Sequence, residues 1–374
     1  MQVRTDTIRV GILGTGRIAV DTHVRAIREA GGEVAALADI APGRAERYAN
    51  RLGVARHYET LEAMIADGVV DAVDVCTPPA FHLPAVLTAL DAGLPVYLEK
   101  PPAMNQYEMR RMAERSIETG IPLVAGTNQI FYPDVQAVRR MIGRGELGEI
   151  YLAECQKTIR RFYRKGWHRS KAIAGGGVVM DSSTHRMDLV LYLLSNPSAL
   201  SVSARTFRHF AGREEPAGWN QSYLVMDVAE QGLSGRPDPA AAPVDIEDSV
   251  VAWFRMRQGL VLTVREMVGV NMPDETVIRL YGTKAGVVLR MAGAQARTVS
   301  VYGEMPDGTL LDAQPALSGG IQTESTHTGA FRYFFRCVRG EENHRPGLER
   351  AVNLMGMVDA IYASADRDGL ETVL

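Results

Sequence analysis

Cysteine is scarce in this chain: Cys76, Cys155 and Cys337 are the only three in 374 residues, and none forms a C-x-x-C pair. That argues against a disulfide framework and a thiolate zinc site, and the three are read as reduced, buried thiols. An excess of charge of one sign is also missing. With 41 Lys and Arg against 44 Asp and Glu, the net charge is −3, which offers no field for nucleic acid or an anionic lipid surface. No apolar run approaches the ~20 residues that span a bilayer, and the opening MQVRTDTIRV has no apolar signal core. Membrane and nucleic-acid partners are therefore not expected, and a cytoplasmic location is.

What is present is the length for two hydrophobic cores and an ordinary globular balance, with 46% apolar and 23% charged residues. The first third alternates strand and helix patterns. Strands are expected at 8–13, 33–38, 72–76, 95–98 and 122–126, and helices at 18–30, 43–52, 61–66, 83–92 and 106–119. Strands separated by crossover helices define a doubly wound parallel sheet. Beyond Gly126 the rhythm changes. After a helix at 134–144, strands at 150–158, 200–207, 250–257, 260–268 and 277–281 follow one another, with Gln258-Gly259 as a hairpin tip. The expected architecture is α/β: a Rossmann domain at 1–126, then an α+β domain at 127–374 with an open mixed or antiparallel sheet. The Gly-, Pro- and Ala-rich stretch 232–243 reads as a loop, either a tolerated insertion or an entrance flap, and 348–365 as a helix.

The first chemical motif is Gly14-Thr15-Gly16-Arg17-Ile18-Ala19, which follows a strand and opens a helix. In that setting Gly14 allows the tight turn, Gly16 lets the backbone approach a pyrophosphate, and the helix start offers free N–H groups to the anion. Asp39 closes the next strand, where a carboxylate hydrogen-bonds the adenosine ribose and repels a 2′-phosphate. NAD is therefore expected, although Arg44 nearby would suit NADP. Asp39 could alternatively cap the following helix. Thr77, Pro78 and His82 follow the 72–76 strand at the carboxyl edge of the sheet, where ligands of open α/β folds bind; His82 fits equally a helix-start histidine satisfied by backbone groups.

The second motif is Glu99-Lys100-Pro101-Pro102, at the same edge. A lysine there favours an alkoxide over its alcohol. The third is the bend Gly175-Gly176-Gly177, which opens a helix at 178–194 carrying Asp181, His185 and Asp188. Asp181 and His185 are four apart and share a face; a histidine beside a carboxylate suits proton transfer near neutral pH. The same residues also fit a helix cap with a core histidine, or a D-x-x-x-H-x-x-D metal site. No further His or Cys cluster supports a metal, so none is assigned.

Together these motifs resemble the glucose-fructose oxidoreductase, inositol dehydrogenase and MocA family (Gfo/Idh/MocA). The resemblance extends to the tail Gly369-Leu370 after a helix containing Ala360-Ile361-Tyr362. It implies that His185 takes a hydroxyl proton, that Lys100 stabilises the developing charge and seats the nicotinamide ribose, and that Asp181 binds substrate or orients the histidine. It also implies a second domain whose sheet covers the nicotinamide and builds a homodimer or homotetramer. Gly14, Gly16, Arg17, Ile18, Asp39, Arg44, Thr77, Pro78, His82, Glu99, Lys100 and Asn128 are assigned to the cofactor. Two departures stand out: Pro79 where Asn is common, and Thr127-Asn128-Gln129-Ile130 where a basic residue is frequent. The second falls on a substrate-facing segment of the family.

Residues 156–169 bring Arg160, Arg161, Tyr163, Arg164, Lys165, Trp167 and His168. Cations beside an aromatic platform suit a hydroxylated ring, and Arg161, Trp167 and His168 join Lys100, Asp181 and His185 as substrate contacts; Arg164 and Lys165 read as solvated. The leading expectation is an NAD-dependent dehydrogenase acting on a secondary hydroxyl, or the matching ketone, of a sugar or polyol. Two competitors remain: an enzyme that retains NAD and cleaves or rearranges a glycoside through transient oxidation, and a non-catalytic nucleotide sensor.

Overall fold

The structure is a computed structural model that describes residues 7–126, 128–160, 166–213, 244–292, 296–305, 307–315 and 325–374. Arg161, Tyr163, Arg164, Lys165, Thr127 and the 232–243 loop lie outside the described residues.

The first sheet contains β1 (Arg9–Leu13), β2 (Glu33–Ala38), β3 (Arg56–Tyr58), β4 (Ala72–Val75), β5 (Val96–Leu98) and β6 (Leu123–Ala125). All are parallel, in the order β3-β2-β1-β4-β5-β6. Strand β4 is buried at every residue and β1 at all but its first, as strands covered by helices on both faces must be. The strand order reverses between β1 and β4, so the loops leaving those two strands diverge and open a crevice at the carboxyl edge.

The second sheet contains β7 (Ile150–Ile159), β8 (Ala199–Phe207), β9 (Ser249–Met256), β10 (Val261–Val268), β11 (Glu275–Gly282), β12 (Ala285–Ala292), β13 (Ala296–Glu304), β14 (Leu310–Ala313) and β15 (Thr372–Val373). Their order is β14-β13-β12-β11-β7-β10-β9-β8-β15, antiparallel except for the β7–β10 pair. Gln258 and Gly259 turn the β9–β10 hairpin in the left-handed region, as the Gln-Gly pair suggests. Strand β9 alternates buried and exposed residues, with Val251 and Trp253 42% and 45% exposed. Its other face packs into the core that also holds the helices Thr184–Leu193 and Arg345–Ala365. Among the described residues no helix is long and apolar enough to cross a membrane.

Gly126 separates the two sheets but not the two cores. The helix Thr326–Val338 returns to the first domain, where Phe331, Phe334 and Phe335 pack with Ile12, Val24, Ile27 and Tyr97. The helix Arg345–Ala365 lies against the helix Gln106–Thr119 and β6. Both cores are thus shared across the boundary.

The three-glycine bend has a steric cause. Glu247 folds over it, and a methyl group on Gly177 would overlap the Glu247 carbonyl oxygen, while one on Gly176 would overlap the Tyr362 hydroxyl. The Glu247 carboxylate then accepts the Gly177 and Val179 N–H groups, each at 2.9 Å, and the Tyr362 hydroxyl at 3.0 Å. It occupies the start of the helical segment that carries Asp181 and His185, satisfying donors that a helix leaves unpaired. Gly177→Ala should therefore cost about 2–3 kcal/mol of stability, measured by urea unfolding; a loss below ~0.5 kcal/mol would show that the bend adapts without strain.

Candidate active site

The glycine loop leaves β1 with Gly14 at φ 91°, and a Cβ there would lie 2.8 Å from the Cys76 carbonyl oxygen. At Gly16 a Cβ meets nothing within 4 Å. The backbone is therefore open on that side, as an approaching pyrophosphate requires. The helix that follows starts as a π turn, Ala19–His23, and continues as Val24–Glu29. Arg17 pairs with Asp21 at 3.3 Å and Ile18 packs beside the first core.

Asp39 fixes this loop. Its Oδ2 accepts the Thr15 N–H at 2.8 Å and hydroxyl at 2.7 Å, and its Oδ1 accepts the Ala41 N–H at 2.9 Å. Three of roughly four acceptor positions on the carboxylate are thereby used, which leaves one for a ribose hydroxyl. Arg44 is turned inward, with Nη2 donating to the Thr15 carbonyl at 3.1 Å and Nε 3.7 Å from Asp39. Neither arrangement presents a cation to a 2′-phosphate. At the end of β4 the Thr77 hydroxyl is buried without a hydrogen-bond partner among the described residues, a polar atom that a bound nucleotide would satisfy.

His82 has a different place from the one expected of a ligand contact. It is fully buried, with Nε2 2.7 Å from the Thr77 carbonyl and Nδ1 3.3 Å from that of Pro102. Burial pushes its pKa down to about 4, so the neutral ring braces the Thr77 turn against the segment after Lys100. Glu99 is buried too and accepts the Lys100 N–H at 2.5 Å. The Lys100–Pro101 peptide is cis. Asn128 is directed to the helix Thr326–Val338, with Nδ2 3.2 Å from the Thr326 hydroxyl and 3.0 Å from a His327 ring nitrogen.

Across the cleft, Lys100 Nζ meets Asp181 Oδ1 at 3.1 Å, their side chains 28% and 21% exposed. Asp181 lies in a π turn, Val179–Ser183, and His185 in the helix that follows. The His185 pKa is held well below the usual histidine value, first by burial and then by the cations Lys100, Arg186 and Lys157. That direction favours the neutral imidazole. Lys100 and His185 line one small cavity with Gln129 and Asp188; the buried Gln129 Oε1 has no hydrogen-bond partner among the described residues, and Asp188 accepts a 2.7 Å bond from Arg350.

Lys157, Gln129 and Glu247 were not singled out from the sequence. Lys157 Nζ donates to the Ser182 hydroxyl at 3.0 Å, and burial lowers its pKa to about 8. Period-2 alternation from buried Ala153 and Cys155 puts Lys157 on the covered face of β7, a readable signal. Trp167 and His168 stack at 3.6 Å on the short turn Gly166–Arg169, and the helix after it packs against the Pro79–Phe81 turn of the first domain. Arg161 lies outside the described residues.

A dinucleotide loop, a lysine at the sheet edge and a neutral histidine from a second domain define an oxidoreductase that uses a nicotinamide cofactor. Residues 8–127 match the profile described as "Oxidoreductase family, NAD-binding Rossmann fold", and residues 135–288 match the GFO/IDH/MocA C-terminal domain. The chain belongs to the GFO/IDH/MocA family of NAD-binding oxidoreductases, which bears out the resemblance and fold class read from its motifs. It is 31% identical over 369 residues to the oxidoreductase ORF334 of Rhizobium meliloti, covering 98% of this chain and 100% of that one. It is 27% identical over 364 residues to the D-glucoside 3-dehydrogenase of Escherichia coli (strain K12), covering 96% and 95%. A levoglucosan dehydrogenase solved with NADH has the same fold, with a TM-score of 0.81 at 19% identity over 98% and 99% of the chains.

The His185 environment sets the pH response. Lowering by burial and cations should place the acid limb of kcat/KM, which reports the free enzyme, below the ordinary histidine value of ~6.5. Lys157→Met removes one of those cations, so the limb should move up toward neutrality, and a step near the Lys157 pKa of about 8 should vanish. An unmoved acid limb would show that Lys157 does not act on His185.

Proposed function

We propose that the protein oxidises a secondary hydroxyl of a sugar, glycoside or polyol, or reduces the corresponding ketone. The observation that carries this reading is the meeting of Lys100 and Asp181, 3.1 Å apart across the cleft, beside a neutral His185 and below the glycine loop. Bound NAD supplies the hydride acceptor. Gly16, Arg17 and Ile18 hold its pyrophosphate through backbone N–H groups, Asp39 takes a ribose hydroxyl, and Thr77 and Pro78 flank its path.

The substrate hydroxyl gives its proton to His185. As that proton leaves, the Lys100 ammonium lies against the growing charge on oxygen and lowers the energy of the alkoxide-like transition state. Asp181 holds Lys100 in position, so the cation is aimed before substrate arrives. Gln129 Oε1 accepts a neighbouring hydroxyl, and Trp167 with His168 forms an apolar platform for the ring face. Relatives named for glucosides and inositols support this substrate class. The uncovered face of β9, with Val251 and Trp253, is the surface we assign to a homodimer or homotetramer. Three buried, unbridged cysteines support a cytoplasmic location.

Nicotinamide absorbance, with glycosides, anhydrosugars and inositols as the panel, tests the proposal. Lys100→Ala and His185→Ala should each lower turnover by about 10²–10⁴-fold while NAD binding, followed by calorimetry, is retained; activity within ~10-fold of wild type in both would overturn it. NAD should also exceed NADP in kcat/KM by about tenfold or more, because Asp39 repels a 2′-phosphate and Arg44 is committed inward.

A further inference from the structure

The mechanism leaves unused a buried polar cluster beneath Lys100. His23, on the helix after the glycine loop, is fully buried, with Nδ1 2.9 Å from Asp74 Oδ2 and 3.1 Å from Cys76 Sγ. Its Nε2 has no hydrogen-bond partner among the described residues. A ring nitrogen of His23, a ring nitrogen of His327 and a carboxylate oxygen of Glu99 all lie within 4.8 Å of one another. Tyr97 and Phe331 wall the group, with ring centroids 5.7 and 5.1 Å from that of His23. A buried imidazole nitrogen without a partner is costly unless something occupies the space it faces.

Asp74 and Glu99 are both buried beside the His23 ring, which sets two carboxylate acceptors around one position. The ligand chemistry agrees, since two imidazoles and a carboxylate form a donor set for zinc and neighbouring first-row ions. Even a triangle with every side at the 4.8 Å limit has its centre only about 2.8 Å from each corner. Donors therefore close to a bond length of about 2.1 Å by moving ~0.7 Å or less.

We propose that His23, Glu99 and His327 bind a divalent transition-metal ion of the zinc class, with Asp74 as the acceptor that orients the His23 ring. Carboxylate–histidine–metal chains of this kind fix the tautomer and raise ligand basicity. His327 is only half-buried, which gives the ion a route in, and on binding its ring nitrogen exchanges the contact with Asn128 Nδ2, 3.0–3.3 Å away, for the ion. The three ligands come from the first helix, the end of β5 and the helix Thr326–Val338, so the ion joins residues 23, 99 and 327. Its role is structural. The site is distinct from Asp181 and His185 and does not depend on the reaction assigned to them.

The test is metal titration of the full-length protein after chelator dialysis, with Co²⁺ followed by its visible ligand-field absorption and Zn²⁺ by competition. One ion per chain is expected. His327→Phe, an aromatic replacement beside Phe331, should weaken Zn²⁺ binding by more than ~100-fold, beyond the loss that removal of an outer-shell partner causes; His185→Ala should leave it unchanged. Absence of stoichiometric binding, binding unaffected by His327→Phe, or binding lost in His185→Ala would each overturn the proposal. If His327→Phe does not fold, X-ray absorption on the zinc-loaded wild-type protein decides: two imidazoles without sulfur support the site, whereas sulfur from Cys76 or a single imidazole refutes it.

Discussion

The Lys100–Asp181 contact is the point on which the proposed chemistry depends. As a stabilising interaction it is small, since both side chains are partly exposed and such pairs contribute at most about 1 kcal/mol. Its importance is positional. One partner ends a strand of the parallel sheet, the other opens a helix of the second domain, and neither holds the reacting geometry alone. Everything near it restricts motion: Glu99 takes the Lys100 N–H, His82 braces the turn beneath the cofactor path, and Glu247 fixes the start of the Asp181 helix.

The electrostatics of the pocket follow from burial rather than from net charge. Lys100, Lys157 and Arg186 surround His185 and oppose its protonation, while Asp181 favours it. Arg186 does not reach the cleft, because Glu266 and Ser182 hold it beneath the helix. A site built this way keeps a neutral base beside a cation. That combination is needed to take a proton from an alcohol whose oxygen must then carry negative charge.

Much of this was legible in the chain. The glycine loop, Asp39, the Glu99-Lys100-Pro101 block and the Asp181/His185 pair are local patterns with local causes, and all reappear near one cleft. The expected β-rich second domain is present, but β12 to β15 were not anticipated, nor was β3 in the first sheet. Nor was the helix Thr326–Val338, whose Thr, Gly and aromatic residues have modest helix propensity. It forms because Ser325 caps it, accepting the Thr328 N–H at 3.2 Å, and because Phe331, Phe334 and Phe335 share a buried face. Gln129 and Lys157 gain meaning only when distant elements meet, and the grouping of His23, Glu99 and His327 depends on strand order and on a helix more than 200 residues away. For His82, of the two readings its position allowed, the structure shows the ring against the Thr77 and Pro102 carbonyls.

The return of residues 326–338 into the first core has a consequence for how the chain is made. Strands β1 to β6 leave the ribosome early, yet Phe331, Phe334 and Phe335 complete the apolar layer against which Ile12, Val24 and Ile27 pack. Nascent chains thus hold a nucleotide sheet with one flank uncovered until residues 326–338 have been made, about 200 residues after β6.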